Sequence, residues 1–270
     1  MTEVRLGTQG WSYPDWLGSF YRQGTRPGDY LAQYARRFST VELDTTFYAT
    51  PRPSQVESWR TRTPDDFIFS AKLPRLITHD RRFVDCGDEL RRFVHVMEGL
   101  GPKLGPLLIQ CPPDLTIDTW DEFAAFLNVL PPNRPFAAEF RHRSWLTPDT
   151  TALLQDHGIA WTVIDLHYLP WTPDVTAGFS YFRWLGDRRA IERYDRVQID
   201  RQARDDEWAA IIRGIIDRVE RVYGYYNNHY SGHSPESVRA MHRRLGLPLK
   251  EDQPPADEAA EPTQLDLFGA

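Results

Sequence analysis

Eight times between residues 4 and 227 a short apolar run breaks off into polar or charged side chains, and segments of helical periodicity separate most of these runs. Residues 136–145, FAAEFRHRSW, show the pattern: an apolar start, then Glu139, Arg141, His142, Arg143 and Trp145. Such a run reads as a buried strand that delivers polar groups to a rim. Strand side chains alternate, so Glu139 and Arg141 share one face while Ala138, Phe140 and His142 share the other. The remaining runs lie at 4–10, 39–48, 67–72, 107–110, 160–165, 180–184 and 221–227. Helices are predicted at 27–38, around 55–60, and at 88–104, 118–130, 147–157, 205–219 and 234–246. Residues 166–178 contain two prolines and little periodicity, and are expected to form a loop over one end of the sheet.

Strands alternating with helices in a chain of 270 residues predict an α/β fold with a parallel sheet. Eight such units within roughly 250 residues favour closure into a single (β/α)8, TIM-like barrel. The expected division is a barrel over 1–249 and a disordered tail over 250–270; two ordinary domains are the other division such a length allows. An open doubly wound sheet would normally carry a phosphate-binding glycine signature after its first strand. The GTQG at 7–10 has neither that spacing nor a Lys-Ser/Thr pair.

The formal net charge is −6, and the tail holds Glu251, Asp252, Asp257, Glu258, Glu261 and Asp266 with no basic residue. The body is left without excess of either sign, which argues against tight, sequence-independent binding to duplex nucleic acid. All basic residues but Lys72, Lys103 and Lys250 are Arg, suited to planar anions. Cys86 and Cys111 are too few for a disulfide framework, no apolar run approaches the ~20 residues of a membrane span, and no signal peptide is read ahead of the first strand. A cytoplasmic protein with no membrane partner is expected. Cys111 reads as an inert, half-buried thiol.

In a TIM barrel, chemistry sits where several strands end together. Choosing the parity that turns each terminal polar group inward gathers Glu42, Lys72, Gln110, Glu139, Arg141, Asp165, Arg183 and Asn227 at the mouth, with Asp44, His79, Asn228 and Trp11 close by. Two readings follow. One is a self-satisfied ionic network. The other is a pocket for an anionic small molecule, with Arg141, Arg183 and Lys72 as donors and a carboxylate as acid or base, Glu139 first and Glu42 second. A divalent metal held by His79 with Glu42, Glu139 and Asp165 is a weaker expectation, since HExxH, CxxC and His-x-His spacings are all absent. Trp11, Tyr13, Tyr48, Trp145, Tyr168 and Trp171 offer material for a stacking wall.

GTQGWSY, VELDTTFY, SAKLPRLITH, LLIQCPP, EFRHRSW and YYNNHYSGHS occur in this order. With these motifs the chain resembles the YecE-like family, the domain of unknown function 72, over about residues 4–247. The resemblance implies a fold similar to a TIM barrel and carries no catalytic assignment. In the tail, Gln264, Leu265, Asp266, Leu267 and Phe268 form QLDLF, which resembles the short motif by which bacterial replication and repair proteins dock on the sliding clamp. That resemblance implies a sliding-clamp partner and work near DNA, while the pocket suggests an enzyme, of the hydrolase or phosphodiesterase kind, for an anionic substrate that a DNA context would make nucleotide-containing. The alternatives are a non-catalytic recruitment module and a metabolic enzyme unrelated to DNA.

Overall fold

A computed structural model describes residues 2–166, 168–170, 174–187 and 190–250. Eight strands run parallel and close in chain order, with β1 (Glu3–Gln9) paired to both β2 (Thr40–Leu43) and β8 (Arg221–Tyr226). Between them lie β3 (Ile68–Lys72), β4 (Leu104–Gln110), β5 (Phe136–Glu139), β6 (Ala160–Asp165) and β7 (Phe179–Trp184). The helices are α1 (Tyr30–Arg37), α2 (Pro53–Thr61), α3 (Gly87–Met97), α4 (Trp120–Leu127), α5 (Pro148–Asp156), α6 (Gln202–Ile215) and α7 (Ser234–Leu245). The barrel is the one the alternation of runs predicts. Residues 251–270, including QLDLF, lie outside the described residues.

Local chemistry sets the boundaries. Thr147 caps α5, accepting from the Thr150 N–H at 3.2 Å, and Pro148 needs no donor at the first helical position. Gly246 ends α7 with φ +67. The predicted helix at 88–104 is shorter, because Gly101 (φ +59) and Pro102 break it and Leu104 already begins β4. The runs at 39–48 and 136–145 also leave the strand early. Thr45–Phe47 and Arg143–Trp145 are 3-10 turns, the first held by Thr46 Oγ1 donating to the carbonyls of Leu43 (2.9 Å) and Lys72 (2.7 Å). That turn carries Phe47 to the mouth.

Inward side chains fill the barrel with Leu108, Ala137, Ala160, Tyr181, Tyr223 and Tyr225. The Tyr225 hydroxyl lies 2.8 Å from Thr40 Oγ1 and 2.7 Å from Ser70 Oγ, so the centre is packed and closed. Outward residues such as Val41, Phe69, Ile109, Trp161, Phe182 and Val222 join the layer shared with the helices. Two residues beyond Thr40, Ser70, Leu108, Ala137, Tyr181 and Tyr225 come Glu42, Lys72, Gln110, Glu139, Arg183 and Asn227. By the two-residue period of a strand, one polar side chain from each enters the mouth.

β6 departs from the expected parity. Ala160 belongs to the interior and Trp161 and Val163 to the outer layer, so Asp165 points outward. The indole of Trp161 decides this, because an interior already holding Tyr181 and Tyr225 leaves no room for it. Among the described residues no helix is long and apolar enough to cross a membrane.

Candidate active site

At the C-terminal ends of the strands, a cavity of about 480 Å³ is lined by Gln9, Asp44, Phe47, Tyr48, Lys72, Arg75, His79, Gln110, Arg141, Arg183 and Asn227, with Leu166, Tyr168, Leu185, Gly186 and Asp187 on its wall. The proline-containing crossover thus contributes to the mouth, as its lack of periodicity predicts. Beneath the cavity floor Arg183 spans two carboxylates. Its Nε and Nη2 donate to Glu42 at 3.0 and 2.8 Å, and its Nη1 donates to Glu139. Tyr181 adds a 2.6 Å bond to Glu42, and Arg141 Nε adds one of 2.6 Å to Glu139.

Each oxygen of the two carboxylates therefore accepts at least one hydrogen bond from a guanidinium or phenol. Both are fully buried. Burial by itself would raise the Glu139 carboxyl, but the charges and hydrogen bonds of Arg141 and Arg183 outweigh it and hold the group at about 2. A carboxylate so placed is a poor base. Its physical role is to fix two guanidinium groups.

Lys72 differs from its neighbours. Its Nζ sits 3.6 Å from the centroid of the Phe47 ring and, among the described residues, has neither a hydrogen-bond acceptor nor a carboxylate within ion-pair reach. Burial, then the Arg183 charge, pushes the ammonium down to about 7, partly offset by Glu139 and Glu42. His79, at the end of a single π-helical turn (Leu76–Asp80), packs edge-on to the same Phe47 ring at 4.8 Å. Its Nδ1 meets Thr78 Oγ1 at 2.8 Å, and burial followed by Lys72 lowers it to about 4, so it is neutral at physiological pH. Burial and the nearby Glu42 raise the carboxyl of Asp44.

Gln9 supplies a further donor. Asn227 accepts the His229 N–H at 2.9 Å through Oδ1, so its Nδ2 donates to Gln9 Oε1 at 2.9 Å. This fixes the Gln9 amide with Nε2 buried and without a partner. Among the described residues only the Nε of Arg141 is engaged, by Glu139.

The structure brings Glu42, Lys72, His79, Gln110, Glu139, Arg141, Arg183 and Asn227 together at the mouth. Asp165 does not join them; its carboxylate receives Arg204 Nη2 at 3.0 Å and Trp208 Nε1 at 3.1 Å from α6. Asn228 is buried behind the rim, accepting from Trp16 Nε1 and Ser234. Trp11 packs edge-on to Trp59 and Phe69 in the outer layer. Of the six aromatics, Tyr48 and Tyr168 line the cavity, Tyr13 packs on Trp16, Trp145 is buried against Phe140, and Trp171 lies outside the described residues. His142 turns to Ser144, with Nδ1 2.8 Å from its hydroxyl.

The predicted metal set is not assembled. Among the described residues no three His, Cys, Asp or Glu side chains converge to hold an ion, since Asp165 faces outward and guanidinium groups occupy the two glutamates. Burial raises the Cys111 thiol well above its ordinary value, in keeping with an inert core thiol. The sequence reading missed Gln9, Phe47, Arg75, Tyr181 and Asp187. Parity signals only two of them: Tyr181 precedes Arg183 by two residues, and Gln9 ends β1.

A closed eight-stranded parallel barrel with a polar pocket at the strand C-termini defines a TIM-barrel protein with its candidate site in the place usual for enzymes of that fold. The family described as "Protein of unknown function DUF72" matches residues 5–261, and the chain belongs to it. It is 30% identical to the UPF0759 protein YunF of Bacillus subtilis, covering 98% of this chain and all of that one. It is 34% identical over 139 residues to the UPF0759 protein YecE of Escherichia coli K12, a match spanning about half of each, 52% of this chain and 48% of that one. A DUF72 family protein of Thermotoga maritima has a similar structure, at 27% identity and a TM-score of 0.77 over 90% of this chain and 99% of the other. One from Enterococcus faecalis shares the fold at 20% identity, with a TM-score of 0.75 over 92% and 99%.

Proposed function

We propose that this protein is an enzyme that binds a small anionic substrate at the barrel mouth and acts on it by acid–base chemistry. The observation that carries this reading is a set of donors around one cavity that find no acceptor among the described residues: Lys72 Nζ, the terminal nitrogens of Arg141 and the Nε2 of Gln9. Of these, Gln9 Nε2 is fully buried; a buried donor left unmatched costs about 1–3 kcal/mol, which a ligand rich in oxygen acceptors offsets. Carboxylates, phosphates and nucleotides all qualify, which keeps a hydrolase or phosphodiesterase within the reading. The base assigned is Lys72 and the acid Asp44, because each oxygen of Glu139 and Glu42 is already engaged by Arg141, Arg183 or Tyr181.

Recruitment to DNA by a sliding clamp is the second part of the proposal. It rests on QLDLF at Gln264, Leu265, Asp266, Leu267 and Phe268, following an acidic, Pro- and Ala-rich stretch. A clamp partner would bring the barrel to DNA without a basic surface of its own.

Thermal shift against nucleotides, sugar phosphates and small carboxylates tests the first part. A ligand at 100 times its dissociation constant adds about 2.7 kcal/mol, and Lys72→Met should remove that gain while the protein stays folded. A panel that moves neither protein sinks the anion reading. A non-catalytic binding module would bind its partner equally well with Lys72→Met, whereas an enzyme loses turnover.

A further inference from the structure

We propose that Lys72 is a covalent nucleophile, forming an imine with the carbonyl carbon of a small anionic aldehyde or ketone. This inference rests on the anion-binding reading above and names the functional group that the anion carries.

Lysine is scarce in this chain and its three positions differ sharply. Lys103 is tied down, its Nζ donating to the carbonyls of Arg60 and Thr63 at 2.7 Å each. Lys250 pairs with Asp66 at 3.2 Å on the surface. Lys72 alone opens on the cavity, held by the face of Phe47 and by no acceptor among the described residues. Where this mouth needs a fixed positive charge it uses Arg, bonded to a carboxylate, as at 141 and 183. Arginine cannot serve as an amine nucleophile, and an ammonium resting on an aromatic ring loses its proton far more readily than one resting on a carboxylate. Burial and the Arg183 charge bring Lys72 to about 7, so much of the amine is free at neutral pH.

The step balances without oxidant or reductant. The amine lone pair forms the C–N bond as the carbonyl π pair moves to oxygen, and one nitrogen proton passes to that oxygen. Asp44, lining the same cavity, supplies the proton with which the oxygen leaves as water. The nitrogen lone pair then closes C=N, leaving a protonated imine beside the Asp44 carboxylate. Hydrolysis runs the sequence backwards and returns the proton. Arg141 and Gln9 remain available for the carboxylate or phosphate of the substrate.

The test is reductive trapping on the full chain near neutral pH. Pyruvate and glyceraldehyde 3-phosphate are each added with sodium cyanoborohydride, and the adducts are mapped by peptide mass spectrometry. Labelling at Lys72 should be at least about tenfold faster than at Lys250, slowed by lactate or glycerol 3-phosphate, and absent in Lys72→Arg. Equal labelling of Lys72 and Lys250, or none at Lys72, overturns the inference. Thermal shift with lactate and glycerol 3-phosphate, which have no carbonyl to trap, separates the two failures. A shift without labelling removes the imine and leaves the anion site standing; neither shift nor labelling removes both.

Discussion

Arg183 on β7 and Glu42 on β2 meet across the barrel, with contacts of 2.8 and 3.0 Å between strands that are not sheet neighbours. The same guanidinium reaches Glu139 on β5, so one side chain ties three strands at the rim. Removing one member of such a buried set leaves charges unpaired and costs roughly 3–5 kcal/mol. Arg183→Ala should therefore lose stability on that scale in urea denaturation. Arg141→Ala leaves Glu139 still bonded to Arg183 and should lose far less, while weakening anion binding at least as much. Sequence parity treats the two arginines alike; the bonding separates a structural one from a ligand-facing one.

The pH dependence of stability follows from two groups with opposite signs. Glu139 sits at about 2 in the fold against an ordinary 4.5, so its stabilisation is complete above 4.5 and disappears as pH falls toward 2, about 3 kcal/mol in all. Lys72 is lowered from 10.5 to about 7, so the unfolded chain binds the extra proton between these values. Its penalty is full below 7 and is relieved as pH rises toward 10.5. In denaturation against Glu139→Gln, wild type should hold its full advantage above pH 4.5 and lose it as the pH falls toward 2. Against Lys72→Met, the gap should close progressively from pH 7 to 10.

Gly7 marks a close approach of backbone to backbone. A Cβ there would lie 2.1 Å from the Thr40 carbonyl oxygen and 3.0 Å from the Tyr34 hydroxyl, which itself bridges Thr8 N–H and Thr40 O at 2.9 Å each. Gly7→Ala must push β1 from β2 and should destabilise by several kcal/mol or prevent folding. Gly28→Ala, where a Cβ meets nothing within 4 Å, should stay within about 0.5 kcal/mol by the same denaturation assay.

The barrel was legible because each strand carries its signature within a few residues: an apolar run, a period of two and a polar end. Most of the mouth followed from that period. Asp165 faces away from the mouth because the bulk of Trp161 constrains the parity of β6 more strongly than the polarity of its end. Asn228 and Trp11 lie one and two residues past Asn227 and Gln9, just beyond where a strand's alternation still governs direction. Phe47, Tyr48 and His79 reach the cavity through turns whose paths depend on bonds such as Thr46 to the Lys72 carbonyl, a contact between residues 26 apart that no local pattern encodes. The division of labour between Glu139 and Lys72 was hidden for the same reason: it depends on which partner each charge finds across the barrel.

QLDLF, at 264–268, carries the clamp part of the proposal. Residues 251–263 are acidic and rich in Pro and Ala without apolar periodicity. Leu265, Leu267 and Phe268 then cluster within four residues, and each such side chain releases roughly 1.5–3 kcal/mol when fully buried. Ordering a short peptide offsets part of that gain, which sets the expected affinity in the micromolar range, about −8 kcal/mol. Gln264 would contribute the polar anchor and Asp266 the spacing between the plugs. Titration calorimetry of the full chain with a bacterial sliding clamp should show this binding, and Leu267→Ala with Phe268→Ala, or deletion of 264–268, should abolish it. Lys72→Met should leave it unchanged, since the barrel mouth takes no part in that contact. No heat of binding, together with no competition against a known clamp peptide, would remove the clamp from the proposal and with it the reason for placing the substrate near DNA.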